Sequence, residues 1–504
     1  MRKILLLILS ALLVGCVYSQ DTAFAYAYGS YGDEVGHSLA QTPDSGFILV
    51  GSSGSFGNGS SDVYIIRIDS LGKYIWSKVY GGNNTEGANC IKCFNDGTCV
   101  ITGYTNTYGS GGYDAYVLKI NLLGDTLWTK TFGGNAWDFA HSIQGTFDGG
   151  YIIAGETFSS TNGENDMWLV KISANGQFEW EKKYGGPLQD FAKDVVQISD
   201  SSYVLVGATE SKGKGMFDVF LVRTNQTGDT LFTKTYGGIK NDVAHSLYYN
   251  SNDQTLALAG YTENFGAVNR DFYIIRTDTL GDTLWTHRVH GPDGDEEWFS
   301  INIDNGSDYI LTGYSYSIIG AGYEDVFFMR ITPGKLITQL TTYGWLEYER
   351  GYSIIPAKQG GQAIVATTNS FGNGNNDVFF IKTKYDGFYS YQNAPAEVYH
   401  DTNHVHISIQ SYQSNIYYNI FPQPAADYLQ VDLDFLRETS FNASVSFYSQ
   451  VGSIVYSIKN QTSPSFQIPL SEWPAGIYFM HITYNTGNES LYQKKITSTI
   501  SVVK

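Results

Sequence analysis

A unit of 52 or 53 residues occurs seven times in this chain, and that repetition limits its folds more than any other feature. A glycine marks the same place in six copies, at Gly51, Gly103, Gly155, Gly207, Gly260 and Gly313, with Ala366 in the seventh. An aspartate keeps the same spacing at Asp62, Asp114, Asp166, Asp218, Asp271, Asp325 and Asp377. A repeat of this size is one supersecondary unit that cannot bury its apolar faces alone and must stack on its neighbours.

Each copy reads as four short strands. In the third, "AHSIQGTF", "YIIAGET", "DMWLVKI" and "FEWEKKY" are β-branched or aromatic runs separated by Gly-, Asn- and Asp-rich turns. Runs such as "YIIAG" and "VFLV" are apolar on both faces, as in sheets covered on each side. Stacked four-stranded units of about 50 residues make a β-propeller. The termini indicate a closed ring. Asp21 to Gly29 aligns with the last strand of a copy, and the seventh copy loses that strand after Asp377 to Lys382. The N-terminal strand 21–29 should therefore complete the last blade, leaving no long open edge. The expected architecture is all-β: a seven-bladed β-propeller over 20–390, followed by a small β-sandwich.

At "DGGYIIAGET", "NDMWLVKI" and "EWEKKYGG" the chain resembles the seven-fold propeller repeats common on bacterial and archaeal surface proteins. That resemblance speaks to architecture and not to activity, because propellers host many unrelated functions.

The repeated Trp76, Trp128, Trp180 and Trp285 read as large side chains wedged between blades. The Asp62 series is joined by a second series of acids after the "YGG" turns: Glu34, Glu86, Asp138, Asp190, Asp242, Glu296 and Glu349. In a propeller both series lie on one face. They either cap turns by accepting backbone N–H groups or supply oxygen ligands to a cation such as Ca²⁺. Seven-fold repetition favours capping, since a catalytic centre is asymmetric. His37, His141 and His245 share one slot in three repeats, which marks a framework position. The sixth copy departs from the pattern with "VHGPDGDEEWF", which gathers His290, Asp293, Asp295, Glu296, Glu297 and an exposed Trp298 in one lengthened loop, a candidate binding site. Cys93 and Cys99 flank "FNDGT" and suit a cross-hairpin disulfide, leaving Cys90 unpaired. No metal ligand set can be assigned.

Met1-Arg-Lys and the apolar run Ile4 to Val14 form a signal peptide over 1–19, with processing either after Ser19 or at a lipobox-like Cys16. No internal run is long enough to span a membrane. Acids outnumber bases 49 to 31, so charge does not suit nucleic acid. After a linker at 391–415, residues 416–504 show alternating strands at 8–12-residue spacing. Pro422 to Leu429, the Gly452 turn, Ser471 to Tyr478 and Lys494-Lys495-Ile496 resemble the C-terminal sorting domain of the type IX secretion system of Bacteroidota. The resemblance implies passage through the outer membrane, with the secretion machinery as partner and the cell surface or the medium as destination.

Neither a hydrolase nor a nucleotide-binding fingerprint occurs. The leading expectation is a surface-displayed binding or adhesion propeller for a glycan or protein ligand, without a cofactor. The alternative is a secreted polysaccharide hydrolase or lyase, which would need carboxylates that break the seven-fold pattern and converge on the channel.

Overall fold

The computed structural model describes residues 23–384, apart from short stretches at 160–162, 200, 268, 290–293, 317–322, 345–346 and 373, and the strands and Trp473 within 416–502. The signal peptide 1–19, the linker 391–415 and Asp293 lie outside the described residues. The chain forms two compact units, divided near residue 400. Strands are numbered β1–β35 in chain order.

The first unit is a seven-bladed β-propeller of four-stranded antiparallel sheets. The third blade runs β10 (Asp138–Gly145), β11 (Tyr151–Thr157), β12 (Asp166–Ile172) and β13 (Phe178–Tyr184) from centre to rim. Every residue of β12 is buried, as the two-faced apolar pattern requires. One face of this blade sets Ile153, Trp168 and Val170 against Val100 and Val117 of the second blade. The other sets Ile152, Met167 and Leu169 against Leu205, Phe220 and Val222 of the fourth. The core is therefore a ring of inter-blade layers, and each buried aliphatic side chain contributes roughly 1.5–3 kcal/mol.

Polar latches tie outer strands to the next blade in several copies. Trp76 donates Nε1–H to the Leu122 carbonyl at 3.1 Å, and Trp285 to that of Pro333 at 3.0 Å. The Tyr184 hydroxyl reaches the Gly228 carbonyl at 2.6 Å, while Lys182 pairs with Asp229 at 2.8 Å. The repeated tryptophans thus span the blade junctions.

The seventh sheet has the order β1-β28-β27-β26, with β27 at Gln362–Thr368 and β26 at Glu349–Pro356, so β1 (Phe24–Tyr28) is its outermost strand. It pairs antiparallel with β28 (Asp377–Lys382), from Phe24 opposite Lys382 to Tyr28 opposite Val378. First and last strands of the repeat region therefore share one blade.

The second unit contains a three-stranded sheet, β29 (Ile416–Phe421), β30 (Tyr428–Phe435) and β33 (Ser465–Pro469), and a four-stranded sheet in which β31 (Phe441–Ser449) lies between β32 (Ile454–Gln461) and β34 (Gly476–Thr486), with β35 (Lys494–Val502) beyond β34. Val445 and Phe447 of β31 are buried, and the Phe447 ring lies 5.2 Å from that of Trp473.

Candidate functional site

The seven innermost strands wall a central channel. They are β2 (Glu34–Gln41), β6 (Glu86–Cys93), β10, β14 (Asp190–Gln197), β18 (Asp242–Asn250), β22 (Glu296–Ile303) and β26 (Glu349–Pro356). Each opens on one acid of the Glu34 series. All seven of these acids are buried. Glu86 accepts the Gly82 N–H and the Thr105 hydroxyl, both at 2.7 Å, and Asp138 accepts the Gly134 N–H at 2.7 Å and the Ser159 hydroxyl at 2.8 Å. The Asp62 series is buried too. Asp62, Asp114, Asp218 and Asp377 accept backbone N–H groups of Gly59, Ser110, Lys214 and Gly374 at 3.2, 3.1, 2.7 and 3.1 Å, and Asp271 takes Arg288 at 2.5 Å. Such oxygens are committed to turns. Among the described residues no three or more His, Cys, Asp or Glu are grouped to hold a metal ion.

One acid from each series meets across a blade junction. A methyl group on Gly133 would lie 2.3 Å from Asp114 Oδ1 and 2.7 Å from Asp138 Oδ2, so only glycine fits between the two carboxylates. Asp325 and Glu349 flank Gly344 in the same way. Burial, and then the Glu349 charge, pushes the Asp325 carboxyl up to about 6, and burial does the same to Asp242. Because these folded-state values exceed the unfolded ones, the folded state binds more protons between about pH 4 and 6. Their contribution to stability therefore improves as pH falls through that window and is at its worst above it. Asp325→Asn should raise the thermal midpoint at pH 7.5 and flatten its rise toward pH 5, a result read by melting both proteins across pH 4–8.

At one common place every inner strand carries a β-bulge, between Gly36 and Ser38 in the first blade and at the equivalent pairs in the other six. A bulge leaves one residue outside the ladder and re-aims its side chain. The bulged residues are His37, Asn89, His141, Lys193, His245, Phe299 and Tyr352, and all seven line a channel cavity of about 400 Å³. The repeated glycine follows from the bulge. A methyl on Gly155 would stand 1.8 Å from the Phe139 carbonyl oxygen that the bulge brings across.

The bulge positions are where the seven-fold pattern fails. His245, Phe299, Tyr352 and His37 form an arc of touching rings, with centroids 5.1, 5.0 and 5.2 Å apart. Asn89, His141 and Lys193 form the polar remainder. Lys193 Nζ lies 3.2 Å from His141 Nε2, which is 3.1 Å from Glu156 Oε1, and Asn165 donates to the other Glu156 oxygen at 2.7 Å. On the far side of Lys193, Glu297 contacts His245 and takes Arg270 at 3.3 Å and the Tyr314 hydroxyl at 3.2 Å. Burial pushes the Lys193 and His141 pKa values down. Burial works against the Glu156 and Glu297 carboxylates, but the imidazoles bonded to them hold both below the usual range. Asp194 sits where five copies carry serine and one Cys90, and it accepts the Ser142 hydroxyl at 2.7 Å and the Leu247 N–H at 2.9 Å.

The sixth-copy acids do not form one exposed loop. Glu296, Glu297 and Trp298 are the first three residues of β22 and are buried, and Asp295 alone of the described group is exposed. Trp298 turns into the inter-blade core and stacks on Phe272 at 3.9 Å, which corrects the expectation of an exposed tryptophan. Glu297 contacts the channel-lining His245. Cys93 and Cys99 are joined in a disulfide across their hairpin, with Cα atoms 4.1 Å apart, and burial raises the Cys90 thiol. Lys193, Asn89, Phe299 and Tyr352 were missed. Following the histidine slot through all seven copies would have found them.

The cavity runs from the bulges toward the ends of the inner strands, where Gly145, Phe147, Gln197 and Tyr249 line it; the opposite face, where the inner strands begin, is rich in aromatics. Of nine exposed large aromatics among the described residues, Tyr31, Tyr108, Trp137, Phe265, Tyr316, Tyr323 and Tyr348 occupy the loops and strand ends of that face. Only Phe147 and Phe178 lie elsewhere. Tyr323 and Tyr348 stack with ring centroids 5.2 Å apart.

Residues 419–498 match the secretion system C-terminal sorting domain family. The regulatory protein FlaEY of Caulobacter vibrioides is 23% identical over 344 residues, which is 55% of this chain and 35% of its own length. This chain thus spans about a third of that relative. Similar solved structures include Sqt1 from Chaetomium thermophilum, with 10% identity, 71% of this chain and 97% of that chain covered, and a TM-score of 0.41. The periplasmic gluconolactonase PpgL of Pseudomonas aeruginosa gives 12%, 64%, 95% and 0.41. The β-propeller domain of the Trilobed protease from Pyrococcus furiosus gives 10%, 71%, 93% and 0.37. Among the described residues no helix is long and apolar enough to cross a membrane. The chain is a β-propeller protein with a type IX sorting module, exported to the cell surface or beyond.

Proposed function

We propose that the propeller is a binding or adhesion module that engages a glycan or a protein surface with the face on which the inner strands begin. The one-sided distribution of exposed aromatics carries this reading. Large aromatic side chains on a rigid scaffold supply contact area at low entropic cost, and clustered exposed rings mark recognition surfaces. Trp137 is 53% exposed and braced by Tyr113 and Phe158, so its ring is pre-positioned.

A glycan array and an extracellular-protein panel, probed with the full chain, test the proposal. Trp137→Ala combined with Tyr323→Ala should weaken the best interaction about tenfold or more, the loss of roughly one aromatic anchor. Unchanged affinity in a variant with an unchanged melting curve would remove this face from the function.

The second reading is a polysaccharide hydrolase or lyase. Asp194 lines the channel, and Glu156 and Glu297 bond to its histidines His141 and His245; as carboxylates that break the seven-fold pattern these three favour it. Turnover of an array hit by the full chain, abolished by Glu156→Gln or Glu297→Gln, would replace adhesion with catalysis.

A further inference from the structure

The channel lysine has an unusual set of neighbours. Lys193 stands at the bulge of β14, partly open to the cavity. An ammonium carries three donors. Among the described residues its one hydrogen-bond partner is His141 Nε2 at 3.2 Å, and the Phe191 ring lies 4.8 Å below. That imidazole nitrogen is also 3.1 Å from Glu156 Oε1.

One nitrogen cannot serve both neighbours in the same way. If Nε2 accepts from the Lys193 ammonium, its lone pair is spent and Glu156 faces no proton. If Nε2–H donates to Glu156, the ammonium loses its acceptor. A single proton on Nε2 satisfies all three atoms when Lys193 is the neutral amine, whose own lone pair faces the same proton. The surrounding charges do not restore the ammonium by contact. Glu156 is bonded to His141 and Asn165, and Glu297 to His245, Arg270 and Tyr314. The Asp194 carboxylate, on the next residue, is engaged by Ser142 and by the Val195 and Leu247 amides.

We infer that Lys193 is a nucleophilic amine that captures small carbonyl compounds in the channel as imines. The Nζ lone pair attacks the carbonyl carbon and the C=O π pair moves to oxygen. Both amine hydrogens leave on that oxygen as water, relayed through His141 Nε2, and C=N replaces C=O. His141 is the proton relay, and Glu156, bonded to it, is a positioning residue. Burial of the amine acts in the same direction, lowering its pKa. The inference is independent of what the upper face binds. Its chemical class is an aldehyde, such as the open-chain end of a reducing sugar.

The test uses the full chain, glycolaldehyde and cyanoborohydride at pH 6.5, with peptide mapping of each lysine. The hydride reduces the imine to a stable secondary amine. Each unit of lowered pKa multiplies the free-amine fraction about tenfold, so Lys193 should label about tenfold or more ahead of the exposed Lys240 and Lys335. The lead should shrink as pH rises above about 11, past the ordinary lysine pKa of about 10.4. In His141→Gln it should fall at pH 6.5. Labelling of Lys193 no faster than Lys240 in the wild type overturns the proposal, whatever the variant does. An undiminished lead in a folded His141→Gln protein would overturn the relay.

Discussion

Replacing Trp298 by alanine is expected to destabilise the propeller by about 3–5 kcal/mol, the range for truncating a large buried aromatic. Trp298 is fully buried, stacked on Phe272 and 5.5 Å from Phe327 in the layer between the fifth and sixth blades. The same slot holds Gly36, Ala88, Ala140, Ala192, Ala244 and Gly351 in the other copies. Alanine is thus acceptable to the backbone, and the loss would come from the cavity alone. Phenylalanine separates packing from hydrogen bonding. The indole Nε1–H has no acceptor among the described residues, and an unpaired buried donor costs about 1–3 kcal/mol. Trp298→Phe gives up some buried area and sheds that cost, so its midpoint should lie close to the wild type. Denaturant unfolding of the three proteins decides the matter. A Trp298→Ala protein of native stability that had lost ligand binding would return this residue to the surface role its neighbours suggest.

That contrast shows how far the residues could be read unaided. The blade count and the strand order inside a blade follow from period, turn glycines and two-faced apolar runs, and the first unit has seven four-stranded sheets. Those signals are repeated seven times, so local ambiguity averages out. The bulge is different. It is a one-residue register shift at Gly36/Ser38 and its equivalents, invisible in composition, and it reverses which side chains reach the channel. Without it, His37, His141 and His245 look like framework positions. Trp298 misleads for a related reason. An aromatic beside four acids reads as a binding loop, but the strand begins at Glu296, and alternation sends the tryptophan into the core and Glu297 to the other side, against His245. The acids of the Glu34 and Asp62 series were legible as a pattern. Their pairing around a single glycine needed the geometry of two blades at once.

Deleting residues 21–29 is expected to cost most of the stability of the propeller, because it opens the ring at one seam. β1 supplies the fourth strand of the seventh blade and holds five residue pairs with β28. Without it, β28 becomes an edge with unpaired N–H and C=O groups along its length. The cluster around Phe47, Tyr64 and Phe380 would lose Tyr28, Phe24 and Tyr26, and the Tyr28 hydroxyl bond to the Gly72 carbonyl at 2.6 Å would go with them. Three aromatic side chains at roughly 1.5–3 kcal/mol each come to about 5–9 kcal/mol, against a total of about 5–15 kcal/mol for a typical folded protein. The junction between the sixth and seventh blades would lose only Ala25 and the other five would be intact, which makes the loss a property of closure and not of repeat number. The truncated protein should melt far below the full chain or aggregate on expression. A synthetic peptide of residues 20–30 should restore the midpoint in a concentration-dependent way, since binding only the folded state stabilises it by mass action. If the truncated chain keeps its melting temperature and the peptide does nothing, the inter-blade layers alone hold the ring, and the N-terminal strand is dispensable to it.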